Sequence, residues 1–173
     1  MIKHVVWDWN GTLVDDVNLC VDILNHVLVA YMKPRISVEL YRRKFFFPVA
    51  KFYESIDLPS FGIEYEKLAN DYIKEYRNRF SECMLHPRAP ETLEVLNELS
   101  ISQTILTAGE QKDVEAFACF FNVNQWVQSI DGASNIEAKG KGDRAAAHIS
   151  KLKLDPKDVL LIGDTLHDQE IAN

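Results

Sequence analysis

Short, mostly apolar runs alternate with amphipathic helical patterns over much of the chain. Runs of this length, which predict buried strands, occupy positions 5–7, 103–106, 126–130 and 159–162. Apolar residues recur at intervals of three and four, as in amphipathic helices, over positions 91–99, 111–121 and 142–151. This alternation predicts an α/β fold with a doubly wound parallel sheet whose strands all end at one edge.

The stretch between the first two of these strands carries only helical patterns. Helices are predicted over positions 17–31, from Ser37 through Lys44, over 49–56 and over 64–80. We therefore expect residues 1–15 and 87–173 to form the α/β core, and residues 16–86 to form an all-helical insert. The chain stops soon after a last helix begins, which fits either a naturally minimal protein or a truncated piece.

Composition narrows the class of protein. The 173 residues are 47% hydrophobic, enough for a real core, and 19 basic against 26 acidic residues give a net charge of −7. An acidic chain without a basic run is a poor nucleic-acid binder. Three widely spaced cysteines, with no signal-peptide stretch and no membrane span, favour a reducing cytoplasm. We expect a cytoplasmic monomer or homodimer without nucleic-acid or membrane partners.

Acidic residues follow the first and last predicted strands. Asp8 comes directly after the first strand, and Asp164 and Asp168 follow the last strand in Gly-Asp-Thr-Leu-His-Asp. Two acids spaced four residues apart leave like charges adjacent unless a cation lies between them. Mg²⁺ is held by one or two carboxylates, waters and phosphate oxygens. The alternative is an ordinary exit from a strand, with Asp8 solvated and Gly11 making a turn.

Groups suited to a phosphate follow the second strand and precede a later helix. The Thr107 hydroxyl and the backbone N–H groups of Ala108 and Gly109 can receive phosphate oxygens. Lys141 would supply a compact positive charge to those oxygens and to a carboxylate nucleophile. Each feature alone has an ordinary alternative, because Thr-Ala-Gly is a common turn and Lys139 and Lys141 fit solvated lysines.

The stretch Asp8-Trp9-Asn10-Gly11-Thr12-Leu13-Val14-Asp15, with the later features in the same chain order, resembles the four motifs of haloacid dehalogenase-like hydrolases. The resemblance implies a Rossmann-like core and a helical cap of the phosphoglycolate phosphatase or β-phosphoglucomutase type. It implies that Asp8 forms an aspartyl-phosphate and that Lys141, rather than its rival Lys139, is the motif lysine. It implies phosphate binding by Gly11, Thr107, Ala108, Gly109 and Lys141. It implies Mg²⁺ binding by Asp8, the Asn10 carbonyl and Asp164, with Asp168 either a further ligand or an acid behind the ligands.

Asn10 departs from the phosphatase pattern, in which an Asp at this position protonates the leaving alkoxide. An amide exchanges no proton in this range, and general acid–base catalysis is worth about 10²–10⁴-fold. We expect a slow Mg²⁺-dependent phosphomonoester hydrolase. Two explanations of Asn10 fit this expectation. It is a natural residue, and a cap residue such as His26 or a group of the substrate transfers the proton. Alternatively, it is an engineered isostere of Asp. The alternative is a degenerate protein that binds a phosphate ligand without turnover.

Other chemistries of the superfamily fit less well. A dehalogenase would not need Asp164 and Asp168, and a mutase would need proton transfer at position 10. A phosphonatase would need a cap lysine as a Schiff base, and the candidates are Lys33, Lys44 and Lys51.

The resemblance places substrate choice in the cap. A small phosphorylated metabolite is expected, with phosphoglycolate the leading candidate by analogy. Arg43, with Arg42 and Lys44, can reach a substrate carboxylate or second phosphate, or form a solvated helix face. The aromatic cluster Phe45, Phe46, Phe47, Phe52 and Tyr53 favours cap core and hinge packing over a base-stacking platform.

Overall fold

A computed structural model describes residues 1–172. Besides short 3-10 helices at Phe80–Glu82, Val123–Gln125 and Pro156–Asp158, eight α-helices and six β-strands form the regular structure of this part of the chain. In chain order they are β1 (His4–Trp7), β2 (Val14–Asp15), α1 (Val17–Ala30), α2 (Val38–Lys44), α3 (Val49–Ser55), α4 (Gly62–Arg79), β3 (Met84–Leu85), α5 (Ala89–Glu98), β4 (Ser102–Glu110), α6 (Gln111–Phe120), β5 (Ile130–Ala133), α7 (Gly142–Leu152), β6 (Val159–Ile162) and α8 (Leu166–Ala172). Within residues 1–172, every helix is too short or too polar to cross a bilayer.

The main sheet is parallel and four-stranded, in the order β5-β4-β1-β6. Val5 belongs to a core cluster with residues of α5 and α6, and Val6 packs in a second cluster with residues of α7 and α8. Consecutive strand residues point to opposite faces, so helices cover both sides of the sheet. This confirms the predicted α/β fold. Trp7 pairs with Ile105 and Ile162, which aligns the carboxyl ends of β1, β4 and β6.

Two strands differ from the prediction. β4 continues through Glu110, so Thr107, Ala108 and Gly109 lie inside the strand at a register irregularity and not in a turn beyond it. Pairing with β5 extends β4, and local sequence does not report such pairing. β5 begins at Ile130, because the apolar residues Trp126 and Val127 pack against the core and form no strand.

Helices α1–α4 lie between β2 and β3, which pair antiparallel through Val14 with Leu85 and Asp15 with Met84. The hydrophobic pattern did not predict β3, since two residues are too short for a periodic signal. The helices have a core cluster of their own, built from Leu24, Leu28, Phe52, Tyr53, Leu58 and Leu68. This helical segment, α1–α4, therefore packs largely on itself while its ends meet beside the carboxyl edge of β1.

Candidate active site

Three carboxylates and one ammonium group meet at the carboxyl edge of the sheet. One oxygen from each of Asp8, Asp164 and Asp168 lies within 4.8 Å of the other two. Lys141 Nζ, 3% exposed, lies 2.7 Å from Asp8 Oδ1 and 2.5 Å from Asp168 Oδ1. Three carboxylates and one ammonium carry a net charge of −3 + 1 = −2. Hard oxygen ligands with this residual charge suit Mg²⁺.

Burial and neighbouring charges set the acidity of these carboxyl groups. Burial raises the pKa of Asp8 to about 7, against the pull of the Lys141 ammonium. Burial and the Asp168 carboxylate raise the pKa of Asp164. Burial also raises the pKa of Asp168, but the Lys141 ammonium and the Thr165 hydroxyl outweigh it and hold this pKa below the usual value. The Thr165 hydroxyl donates to Asp168 at 2.6 Å. The pKa values of Asp8 and Asp164 are therefore raised even though the Lys141 ammonium contacts the cluster.

Gly11 brings the first loop against the last strand. Its φ of +73° is a left-handed conformation, and a Cβ there would lie 2.3 Å from Asp164 Oδ2. A residue with a side chain would meet both conformational strain and a steric clash. Gly11 therefore sets the close approach between the Asp8 loop and Asp164.

Thr107 and Gly109 form a tight bend beside Asp8. The Gly109 N–H donates to Thr107 Oγ1 at 3.1 Å. The Arg144 guanidinium donates to the Thr107 carbonyl and to Asp131 Oδ1, which clamps this bend onto β5. Lys141 Nζ also donates to the Leu106 carbonyl at 3.0 Å. The bend is thus held rigidly beside the Asp8 carboxylate, and the role of Arg144 was not anticipated from sequence.

Asp16 is a buried acid that sequence reasoning missed. It is 2% exposed, and its Oδ2 accepts from Asn10 Nδ2 at 2.6 Å and from the Tyr76 hydroxyl at 2.7 Å. Its Oδ1 accepts from the Gly11 N–H at 3.0 Å. These bonds fix the Asn10 amide and turn its Oδ1 towards Gly109. In the sequence, Asp16 is indistinguishable from an ordinary acidic residue at the start of a helix.

Three other predicted candidates lie away from Asp8. Lys139 has a side chain 76% exposed and pairs with Glu137 at 2.5 Å. Arg43 is 67% exposed, pairs with Glu39 and lines an open groove of about 1030 Å³. His26 is exposed and pairs with Asp22. The structure brings together the other predicted residues, namely Asp8, Asn10, Gly11, Thr107, Ala108, Gly109, Lys141, Asp164 and Asp168.

A cavity of about 220 Å³ opens between the sheet edge and the helical segment. Its floor includes Asp8, Asn10, Thr107 and Gly109. Its walls are mainly aromatic, with Tyr41, Phe45, Phe47, Phe52, Tyr53, Tyr65, Tyr72, Tyr76 and Phe117 among the lining residues. A ligand held at Asp8 would therefore extend into an aromatic chamber.

Comparisons with known proteins agree with this architecture. The sequence profile of the haloacid dehalogenase-like hydrolase family matches residues 5–173. A haloacid dehalogenase-like family hydrolase, SP0104 from Streptococcus pneumoniae, superposes with a TM-score of 0.81 at 21% identity, covering 99% of this chain and 80% of that one. A predicted phosphoglycolate phosphatase from Haemophilus somnus gives 0.78 at 20% identity, with coverage of 99% and 80%.

The same fold also occurs in Protein Tyrosine Kinase A of Mycobacterium tuberculosis, with a TM-score of 0.80, 22% identity and coverage of 99% and 79%. No curated protein sequence matches the chain significantly. At these identities the solved structures establish the fold.

Proposed function

Because the chain belongs to the haloacid dehalogenase-like hydrolase family, we propose that it is a Mg²⁺-dependent phosphomonoester hydrolase that forms an aspartyl-phosphate on Asp8. The observation that carries this proposal is the Asp8 carboxylate held 2.7 Å from Lys141 Nζ, with the Asp164 and Asp168 oxygens beside it. A buried nucleophile flanked by a cation and by hard oxygen ligands suits attack on an anionic phosphoryl group.

The donor set fits Mg²⁺. Asp8, Asp164 and Asp168 would hold the ion, and the family resemblance adds the Asn10 carbonyl as a further ligand. When bound, the ion would neutralise the residual charge of the cluster and polarise the phosphoryl oxygens.

The chain's own groups would then orient the phosphate and the nucleophile. We assign phosphate oxygens to the Thr107 hydroxyl, to the backbone N–H of Ala108 and to Lys141. The N–H groups of Gly11 and Gly109 donate to Asp16 and Thr107 in this structure and would have to turn from those acceptors to bind the phosphate. The Lys141 ammonium also aligns the Asp8 oxygen and offsets the charge that gathers on the phosphoryl group. Asp8 Oδ forms the new bond to phosphorus, and the alcohol leaves with its bonding electrons.

Asn10 limits the proton transfers of this reaction. Its amide donates to Asp16 and carries no proton that it can give to the leaving oxygen. We propose weak turnover of poor leaving groups, about 10²–10⁴-fold below an enzyme with an acid at this position. The same hydrogen bond favours a second candidate, a protein that binds a phosphate ligand without turnover.

We propose that the helical segment α1–α4 is a cap over this site and that residues 1–15 and 87–173 form the core. A small phosphorylated metabolite remains the proposed substrate, with phosphoglycolate the analogue suggested by the family. A phosphonatase-type Schiff base is not favoured, since no lysine within residues 1–172 lines the aromatic cavity. The cytoplasmic location and the oligomeric state stay predictions.

The test is Mg²⁺-dependent phosphate release from p-nitrophenyl phosphate and phosphoglycolate. Asp8→Asn keeps the shape of the nucleophile and removes its charge, and we expect it to abolish release. The matched control is Asp15→Asn, which makes the same change in β2 at a residue that does not line the cavity. This variant should retain activity. Release that survives Asp8→Asn would refute the proposal, and binding of phosphate without release would favour the second candidate.

A further inference from the structure

The leaving group of a phosphate ester bound at Asp8 has one chamber to occupy. The aromatic cavity contains the nucleophile Asp8, Asn10 and the Thr107–Gly109 bend among its lining residues. The open groove that carries Arg42 and Arg43 shares Gly11, Asp164 and some aromatic residues with this cavity, but neither Asp8 nor Thr107 lines it. An ester whose phosphorus faces Asp8 and whose oxygens face Thr107 therefore directs its organic part into the aromatic cavity.

The charged side chains that line this cavity within residues 1–172 are all acidic. Its ionisable acids are Asp8, Asp16, Glu110, Asp113 and Asp164, and within residues 1–172 its lining contains no lysine, arginine or histidine. Arg77 and Lys141 lie behind this lining and already pair with its acids, Arg77 with Glu110 and Asp113 and Lys141 with Asp8. A carboxylate or second phosphate on the organic part would therefore lose its hydration there without meeting an unpaired cation. Among phosphate esters, this wall disfavours those whose organic part carries a second anionic group, such as phosphoglycolate.

The remaining surface suits a flat apolar group. The hydroxyls of Tyr72 and Tyr76 already donate to the Cys20 carbonyl and to Asp16, and both rings line the cavity. Phe45 and Phe52 meet edge to face at 5.2 Å, an arrangement that a further ring can extend. Burying an aromatic ring in such a chamber is favourable because apolar surface leaves water.

Asn10 points to the same class of substrate independently. Asn10 lines the same cavity as Asp8, and its amide nitrogen already donates to Asp16 at 2.6 Å and to the Tyr76 hydroxyl at 3.1 Å. A phenol ionises near pH 10, so a phenolate departs without protonation far more readily than an alkoxide does. A site without a proton donor therefore works best on esters whose oxygen leaves as a stable anion.

We infer that the substrate is the phosphate monoester of a phenol or a similar apolar aromatic hydroxyl compound without a second anionic group. This inference rests on the proposed phosphatase function. In the first step, Asp8 Oδ bonds to phosphorus, and the P–O(aryl) bond breaks with its electron pair leaving on the phenolate, which takes a proton from solvent. In the second step, water attacks phosphorus, the Asp8–phosphorus bond breaks, and the water proton passes to solvent as phosphate is released.

The experiment compares kcat/KM for matched esters with the whole chain and Mg²⁺. Phenyl phosphate should exceed 4-carboxyphenyl phosphate by about 100-fold or more, because the added carboxylate is buried unpaired. Benzyl phosphate keeps the ring but leaves as an alkoxide, so its kcat should be about 10²–10⁴-fold lower at a similar KM. Phosphoglycolate should be the poorest of the four. The inference would be overturned if kcat/KM for phosphoglycolate or for 4-carboxyphenyl phosphate equalled that for phenyl phosphate.

Acetyl phosphate separates this inference from the function on which it rests. It is small, needs no aromatic contact and has a good leaving group, so its hydrolysis reports Asp8 chemistry alone. Acetyl phosphate hydrolysis with no preference for phenyl phosphate would refute the aromatic substrate and retain the phosphatase. No release from any of the four esters or from acetyl phosphate would refute both.

A cavity variant provides a second readout. Ile73 lines the aromatic cavity from α4, and Ile73→Lys would add the cation that the wall lacks, while Ile73→Met is the neutral control of comparable length. We expect Ile73→Lys, but not Ile73→Met, to raise kcat/KM for 4-carboxyphenyl phosphate relative to kcat/KM for phenyl phosphate. An unchanged ratio in a folded Ile73→Lys protein would contradict the location of the leaving group. If this variant does not fold, the comparison of the four esters with the unmodified chain still tests the inference.

Discussion

Exchanging the two side chains of the Asn10–Asp16 pair tests whether a missing proton donor limits turnover. The double variant Asn10→Asp/Asp16→Asn keeps one amide and one carboxylate facing each other across the present 2.6 Å hydrogen bond. It moves the carboxylate to the position beside the leaving oxygen. The Tyr76 hydroxyl, which now donates to Asp16, can accept from the new amide, since a phenol both donates and accepts.

The single variant Asn10→Asp is a different perturbation, because it places two carboxyl groups about 2.6 Å apart. At an effective dielectric constant of about 20, two unit charges at that separation repel by about 332/(20 × 2.6), or about 6 kcal/mol. This is more than about four pKa units at about 1.4 kcal/mol each, so one carboxyl group would hold a proton at neutral pH. The shared proton would tie the new acid to its neighbour.

We therefore expect the double variant to gain most on a substrate with a poor leaving group. For benzyl phosphate the gain in kcat/KM should be about 10²–10⁴-fold, the usual value of general acid–base catalysis. For acetyl phosphate it should be small in the first step. Asn10→Asp alone should gain less and should show a pH optimum shifted upward. Asp16→Asn alone is the control for the lost carboxylate and should not gain.

The assay is phosphate release at saturating Mg²⁺ over pH 5 to 9, with circular dichroism to verify folding. A folded double variant that gains nothing on benzyl phosphate would refute the reasoning, because the proton would then come from another group. Equal gains for the single and double variants would show that the Asp16 carboxylate does not compete for the proton.

Other regions of the molecule give further predictions. His4 is 1% exposed, and burial and the nearby His148 lower its pKa to about 4. The unfolded chain then binds the proton more readily, so stability falls as pH drops from about 6.5 towards 4, by about 2 kcal/mol between pH 7 and 5. In urea titrations His4→Gln should remove that part of the slope. Lys141→Met leaves Asp8 and Asp168 buried without their cation and should lower the free energy of unfolding by about 3–5 kcal/mol, part of which millimolar Mg²⁺ restores. Arg77 of α4 pairs with Asp113 at 2.8 Å and Glu110 at 2.6 Å, which links the helical segment to the core. Arg77→Gln should therefore raise KM while changing the free energy of unfolding little. Unchanged KM with Arg77→Gln would contradict a positioning role for this pair.

Much of the reacting cluster could be predicted from sequence, for a geometric reason. Parallel strands end at the same edge, so polar residues that follow apolar runs converge without any knowledge of packing. Asp8, Thr107 and Asp164 are found in this way, because β1 lies between β4 and β6. Lys141 was preferred to Lys139 by resemblance, and in the structure it is Lys141 that contacts Asp8.

The local sequence pattern could not determine the contacts between elements that are far apart in the chain. Asp16 starts a helix like many acids, and only the approach of Tyr76 from α4 and Asn10 from the first loop makes it a buried acceptor. The exposed position of Arg43 and the aromatic lining of the cavity depend on how α1–α4 pack on one another, since helical periodicity marks an apolar face but not its partner. Sequence alone therefore established the α/β order and the polar residues that meet at the carboxyl edge of the sheet. The tertiary structure decided the surroundings of those groups, because burial and charge pairing arise between segments far apart in sequence.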